Sequence, residues 1–394
     1  MNRAMRRTGS LVACLVVGIF PAGWRMGAAA ADNSSEAVAA HADKPETKIA
    51  DSWDPKAAAA YLDRRQTWWM EWPRAQRDHE TFCVSCHTSV PYALSRSALR
   101  TALAEQAPSP NERRLLDSVT KRVRLWKDVE PFYKDADRGP YKSVESRGTE
   151  SVLNALILSS RDAQSGQLSN DAHTAFENMW AEQQIAGKQK GAWLWLRFNN
   201  EPWEANDSDY FGATLAAVAI GMAPGNYRAT PEVQTSLKLL REYLDREFTV
   251  QTSINRVLLL WAAAKLPGLI EPDRQKDIIG ELLEKQQPDG GWSLSSLSGE
   301  WKRGDGTSQA TTSDGYATGL ITLVLQRAGI PPENAKMKRG LAWLTANQDK
   351  TEGSWTAYSL NKSKEHHISP ETALFMNDAA TSYAVLSLTA ANRR

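Results

Sequence analysis

The stretch QQPDGGW, residues 286–292, decides the fold, because the chain repeats its pattern. Each copy has an apolar helix end, a glutamine, a short turn, a glycine and a tryptophan. Other copies run from Met179 to Trp193 and from Leu344 to Trp355, and a degenerate copy runs from Leu62 to Trp69. Such internal repetition is typical of folds built from repeated structural units.

Apolar helices rich in small residues alternate with these segments, and each begins near a threonine or serine. Their starts lie at Thr88, Ser151, Thr214, Ser253, Thr318 and Thr381. The intervals can hold two antiparallel helices and a loop. Strand signals are scarce, and Pro and Gly cluster between the helices. We therefore predict an all-α fold, an (α/α)6 toroid of about six helix pairs with the small-residue helices inside.

This arrangement resembles the α/α-toroid of the squalene–hopene cyclase and prenyltransferase superfamily over roughly residues 55–390. The segments 286–292 and 348–355 carry the resemblance, with the helix starts 314–318 and 378–381. It implies that the repeated Gln and Trp tie helix ends together, so we interpret them as structural. Terpene cyclase activity is not expected, because the acid motif Asp-x-Asp-Asp of the cyclases is matched only by DSDY at 207–210.

The pentapeptide CVSCH, residues 83–87, is a c-type haem attachment motif. Two thiols at this spacing can bond both vinyl groups of one haem, and the adjacent imidazole can ligate the iron. We predict one covalent haem c, with Cys83 and Cys86 as thioether anchors and His87 as the axial ligand. A zinc site that uses these residues and a distant fourth ligand is the alternative.

The second axial ligand is expected near the start of the last inner helix, which ring closure would place beside the first. Met376 is the first choice there, and His366 and His367 are alternatives, because both residue types bind haem iron. The competing interpretation is that Met376 fills the core.

Four acidic residues lie within a few residues of inner-helix starts: Glu150, Asp209, Asp314 and Asp378. The simpler interpretation is that they cap the helices. The alternative is that parallel inner helices collect them at one mouth of the ring. There they could donate protons or bind a cationic or polyhydroxy ligand.

Residues 1–31 have the basic start, apolar run and small-residue end of a signal peptide. We interpret 32–52 as a flexible leader and 53–394 as the toroid domain. Cleavage of the signal peptide would remove Cys14. It would also change the formal net charge from +1 to −3, because the signal peptide contains four arginines and no acidic residue. This balance does not favour nucleic acid or an anionic membrane as a partner. No other stretch is apolar enough to span a membrane.

Together these features predict a mono-haem c-type protein exported to the bacterial periplasm. The favoured role is electron transfer to a redox partner protein. One alternative is a haem-dependent oxidoreductase acting on a small-molecule ligand in the toroid cavity. The other is a ligand-binding or sensor protein without catalysis.

Overall fold

The computed structural model describes residues 52–133, 140–361 and 370–392, and these ranges are mainly helical. Their twelve α-helices are, in chain order, α1 (Pro55–Glu71), α2 (Ser89–Ala102), α3 (Pro110–Arg124), α4 (Pro140–Ser165), α5 (Asn170–Ala181), α6 (Ser208–Met222), α7 (Gln234–Arg246), α8 (Ser253–Lys265), α9 (Pro272–Glu284), α10 (Gly315–Arg327), α11 (Ala335–Ala346) and α12 (Phe375–Ala391). Two short strands, β1 (Gln76–Arg77) and β2 (Thr81–Phe82), pair antiparallel before α2. The prediction of an all-α chain is confirmed.

The even-numbered helices form a closed ring. Each packs against the next in chain order, and α12 packs back on α2. Their composition explains this placement, because small side chains let helices approach closely on more than one face. A Cβ on Gly319 of α10, for example, would lie only 2.7 Å from the backbone nitrogen of Ala384 in α12. The odd-numbered helices pack on this ring from outside.

The repeated glutamines tie the outer helices to one another. The side-chain amide of Gln348 donates to the carbonyls of Gly353 and Asp54 at 3.2 and 2.9 Å. Asp54 is the N-cap of α1, so this bond joins the last outer helix to the first. Equivalent pairs of bonds run from Gln183 to Gly191 and Ser236, and from Gln286 to Gly290 and Lys336.

The repeated tryptophans are buried and bind the helix that precedes them. The indole of Trp355 donates to the carbonyl of Leu344 at 2.7 Å, and its backbone N–H donates to the hydroxyl of Thr381 at 3.1 Å. The indoles of Trp193 and Trp292 make the matching bonds to Met179 and Leu282. The predicted structural role of these residues is confirmed.

Replacing Gly353 with alanine is expected to lower the free energy of unfolding by about 3 kcal/mol. Gly353 has a φ of +85°, and an added Cβ would lie 2.0 Å from the carbonyl oxygen of Ala57 in α1. The matched control is Gly329→Ala, where φ is +93° but no atom lies within 4 Å of the added Cβ. Its backbone strain alone should cost about 1 kcal/mol. Urea unfolding followed by circular dichroism gives the free energy of unfolding of both variants. An equal decrease in the two would contradict the explanation that Gly353 is needed for its close contact with Ala57.

Several predicted features fall outside the described residues. These are the signal peptide, the leader up to residue 51, and the alternative iron ligands His366 and His367. None of the helices in the described ranges has both the length and the apolar character that crossing a bilayer requires.

Candidate functional site

The mouth, defined here as the end of the ring where the inner helices begin, is crossed by the loop 197–207 between α5 and α6. Trp203 in this loop is only 1% exposed. Its ring centroid lies 5.5 Å from that of His87, just before α2, and 6.1 Å from that of Tyr316 in α10. Tyr316 in turn packs 5.2 Å from Tyr383 of α12. The loop therefore covers the mouth with a buried tryptophan.

His87 lies among aromatic rings. Its imidazole stacks on Phe375 of α12 with a centroid distance of 3.7 Å, and the ring of Trp69 meets it edge-on at 5.0 Å. The hydroxyl of Thr88 donates to Asp378 at 2.7 Å, so its oxygen accepts the proton of His87 Nδ1 at 2.9 Å. Burial lowers the pKa of His87 to about 3, so the imidazole is neutral.

The two motif cysteines are free thiols packed in the core. Burial raises the pKa of Cys83 to about 12 and that of Cys86 well above its usual range. Both therefore stay protonated and are poor nucleophiles. Within the described residues, no three His, Cys, Asp or Glu side chains are placed to hold a metal ion.

Met376 is buried in the first turn of α12. The side chain of α12 that stacks on the imidazole is its neighbour Phe375, which the sequence analysis did not single out. Ligation of iron by Met376 stays a prediction.

Three of the four predicted acids are in ion pairs with arginines: Glu150 with Arg122, Asp209 with Arg197, and Asp378 with Arg65. The predicted position of Glu150 at the start of an inner helix is wrong, because α4 already begins at Pro140. Asp314 instead accepts the backbone N–H groups of Ala317 and Leu294 at 2.9 and 2.5 Å. The interpretation as a helix cap is therefore correct for Asp314, the N-cap of α10, whereas the other three acids form ion pairs with arginines. A ligand-binding or proton-donating role for the four stays a prediction.

Glu201 in the mouth loop was missed by the sequence analysis. The residue is 6% exposed, and within residues 52–133, 140–361 and 370–392 neither carboxylate oxygen accepts a hydrogen bond from another residue. Burial, reinforced by the negative charge of Asp207, raises the pKa of Glu201 to about 8. Glu201 is therefore mainly protonated at neutral pH, as a general acid must be.

Two further acids lie on the same loop. Asp207 is exposed, and its carboxylate accepts a hydrogen bond from Asn255 of α8 at 3.0 Å. Burial raises the pKa of Glu204 to about 7, and its charge raises the pKa of the two motif thiols. The charge of Glu204 thus acts on the motif thiols, whereas the charge of Asp207 acts on Glu201.

Two other loops border Glu201. The side chain of Asn361, in the loop before α12, binds both backbone groups of Glu201. Trp301, in the loop before α10, is partly exposed and donates its indole N–H to Leu360 at 2.9 Å. Tyr358, in the same loop as Asn361, is 43% exposed. The density of acids in 201–209, four in nine residues at the start of an inner helix, is the sequence signal that could have indicated this site.

Comparison with known proteins gives a fold-level similarity. No protein-family model matches the chain, and no curated protein matches it. The solved structures it resembles include glycosidases. A glycosidase variant in complex with glucose is 13% identical, with 85% of this chain and 97% of that chain covered and a TM-score of 0.49. The wild-type glycosidase is 13% identical, with 85% and 98% covered and a TM-score of 0.47.

These findings correct two predictions. The resemblance to the cyclase and prenyltransferase superfamily with a cytochrome c-like motif is wrong, because the similar structures are glycosidases. The predicted haem functions, namely electron transfer, oxidoreductase and sensor, are wrong on the same comparison. The described residues also show no group placed to hold a metal ion. Locally, CVSCH is packed as core, with protonated thiols and an imidazole that is enclosed by aromatic rings.

Proposed function

We propose that this protein is a glycoside hydrolase whose acid–base pair, Glu201 and Asp207, lies at the mouth of a six-pair (α/α)6 toroid. The observation that supports it is the buried carboxyl group of Glu201, which accepts no hydrogen bond from any other residue in the ranges that the structure describes. Leaving such a group without partners costs free energy, so its presence calls for a reason. Carboxyl groups with raised pKa values beside a second acid are common at catalytic sites.

The two carboxyl groups differ as glycoside hydrolysis requires. One group must protonate the leaving oxygen, and the other must activate water or attack the sugar as a carboxylate. Glu201, buried and protonated, serves as the acid. Asp207, exposed and bound by Asn255, serves as the carboxylate. Its charge helps to keep the proton on Glu201. Burial raises the pKa of Asp207 as well, while Arg197 and the hydrogen bond from Asn255 favour its charged form.

The rim of the mouth suits a carbohydrate. Trp301 and Tyr358 are partly exposed beside the loop that holds Glu201. Aromatic rings combine an apolar face with a polar edge, and the face can pack on the C–H surface of a sugar ring. Trp203 of this loop is buried against His87 and Tyr316, so we expect the sugar to bind at the rim and not inside the ring.

The pH dependence of hydrolysis tests this assignment. With a panel of aryl glycosides and oligosaccharides, kcat/KM should fall as the pH rises through about 8, because Glu201 then loses its proton. On the acid side it should fall as Asp207 gains a proton. A folded protein that cleaves no member of the panel would contradict the proposal, and so would a rate that increases through pH 8.

Covalent haem c is a separate proposal about CVSCH and does not bear on the hydrolase. Cys83 and Cys86 would anchor the haem. His87 has suitable donor chemistry, because Thr88 binds its Nδ1 and leaves Nε2 for a ligand. Phe375 or Trp203 would have to move aside, since both rings contact the imidazole. A pyridine haemochrome spectrum showing one c-type haem per chain would support attachment. No covalent haem, after expression in a strain competent for cytochrome c maturation, would refute it.

We also propose export to the periplasm through residues 1–31, with a carbohydrate as the small-molecule partner. The amino-terminal sequence of the secreted protein tests export. A start at or near Asp32 would support it, and an intact Met1 would contradict it.

A further inference from the structure

Asn361 forms two hydrogen bonds with the backbone of Glu201, which lies 160 residues earlier in the chain. Its Oδ1 accepts the N–H of Glu201 at 2.8 Å, and its Nδ2 donates to the carbonyl oxygen of Glu201 at 2.6 Å. One amide side chain thus binds the donor and the acceptor of one residue, much as a neighbouring strand would.

Asn361 is itself held in place by its surroundings. The hydroxyl of Ser359 donates to the Asn361 carbonyl at 2.6 Å and accepts its backbone N–H at 3.0 Å. Arg303, in the loop before α10, donates to the Ser359 carbonyl at 2.6 and 3.1 Å. Trp301, in that same loop, donates to Leu360. Loops from three different repeats are therefore joined beside Glu201.

This attachment matters because nothing comparable fixes the carboxyl group of Glu201. Among the described residues none donates a hydrogen bond to either of its oxygens, so its position depends on the placement of its backbone and on the packing around it. The two backbone bonds fix the point from which the Glu201 side chain extends, and at 6% exposure the surrounding packing leaves its carboxyl group little access to water. A catalytic acid misplaced by a small distance loses much of its effect.

We propose that Asn361 is a positioning residue, which holds the Glu201 backbone so that its carboxyl group stays buried at the mouth. The kinetic part of this inference rests on the proposed hydrolase function. The effect on the environment of the carboxyl group does not, because it can be measured without a substrate.

The test compares Asn361→Ala with Asn361→Asp. The aspartate keeps an acceptor for the Glu201 N–H but loses the donor to the Glu201 carbonyl. The matched control is Asn347→Ala, because Asn347 is exposed and its amide donates to Trp343 in its own helix. For each variant, infrared difference titration against the same protein carrying Glu201→Gln gives the pKa of the Glu201 carboxyl group. Steady-state kinetics on an aryl glycoside then gives kcat and KM.

We expect Asn361→Ala to lower the pKa of Glu201 toward its ordinary value and to reduce kcat about tenfold with little change in KM. Asn361→Asp should fall between this variant and wild type, and Asn347→Ala should match wild type. If Asn361→Ala does not fold, the Glu201 pKa and kcat of Asn361→Asp are compared with those of wild type instead.

The outcomes separate the two proposals. An unchanged Glu201 pKa in a folded variant overturns the positioning role, whether or not the protein hydrolyses sugars. A lowered pKa with an unchanged kcat supports the attachment of Glu201 but overturns its kinetic consequence. A lowered pKa in a protein without hydrolase activity supports the attachment of Glu201 and refutes the hydrolase.

Discussion

Replacing Glu201 with glutamine is expected to lower kcat on a natural oligosaccharide about a thousandfold, while KM changes little. Glutamine keeps the size of the side chain, but its amide cannot give a proton to the leaving oxygen. The decline in rate near pH 8 should disappear as well, because the group that titrates there is gone. Steady-state kinetics across pH measures both effects.

The control is Glu300→Gln, which removes an exposed carboxylate from the loop before α10 and should leave the rate unchanged. A Glu201→Gln protein that retains most of its kcat would show that the buried carboxyl group is not the acid. Equal losses in both variants would point to a general effect of charge at the rim.

Replacing Arg122 with methionine is expected to lower the free energy of unfolding at neutral pH by about 4 kcal/mol. The Arg122 side chain is fully buried and binds both carboxylate oxygens of Glu150 at 2.5 and 3.1 Å. It also donates to Asp78 and Thr81, at 2.9 Å each. Without it, Glu150 would be a buried acid without its arginine counter-charge. Urea unfolding measures the loss.

The pH dependence of this loss identifies its cause. Burial already raises the pKa of Glu150 above its ordinary value, and loss of Arg122 raises it further. When a carboxyl group has a higher pKa in the folded than in the unfolded state, the free energy of unfolding of the protein decreases as the pH rises from the unfolded-state pKa through the folded-state pKa. The variant should therefore recover stability as the pH falls. Arg122→Met combined with Glu150→Leu should remove that dependence, and a loss that is the same at all pH values would contradict the ion-pair explanation.

The ring of helix pairs could be predicted because its determinants are local and repeated. Gln348 and Trp355 lie a few residues apart and bind nearby backbone groups. A similar spacing between glutamine and tryptophan recurs in the other repeated segments, which form a similar turn. A periodic sequence thus reports a periodic structure, even where one copy, such as 62–69, has degenerated.

The candidate site could not be predicted in the same way, because it depends on contacts between repeats. Glu201 becomes unusual only when Asn361, from a loop 160 residues away, fixes its backbone and the mouth buries it. Its charge state follows from that burial and from Asp207. Likewise, nothing in CVSCH indicates that Phe375 would stack on His87. A short motif specifies donor atoms, but the tertiary structure decides what surrounds them.

The most direct test of the central claim is the dependence of kcat/KM on the leaving group, measured for wild type and Glu201→Gln with a series of aryl glycosides. If Glu201 protonates the leaving oxygen, the deficit of the variant should be large for weakly acidic phenols. It should nearly vanish for strongly acidic phenols, which depart without a proton. A deficit of the same size across the whole series would contradict Glu201 as the general acid.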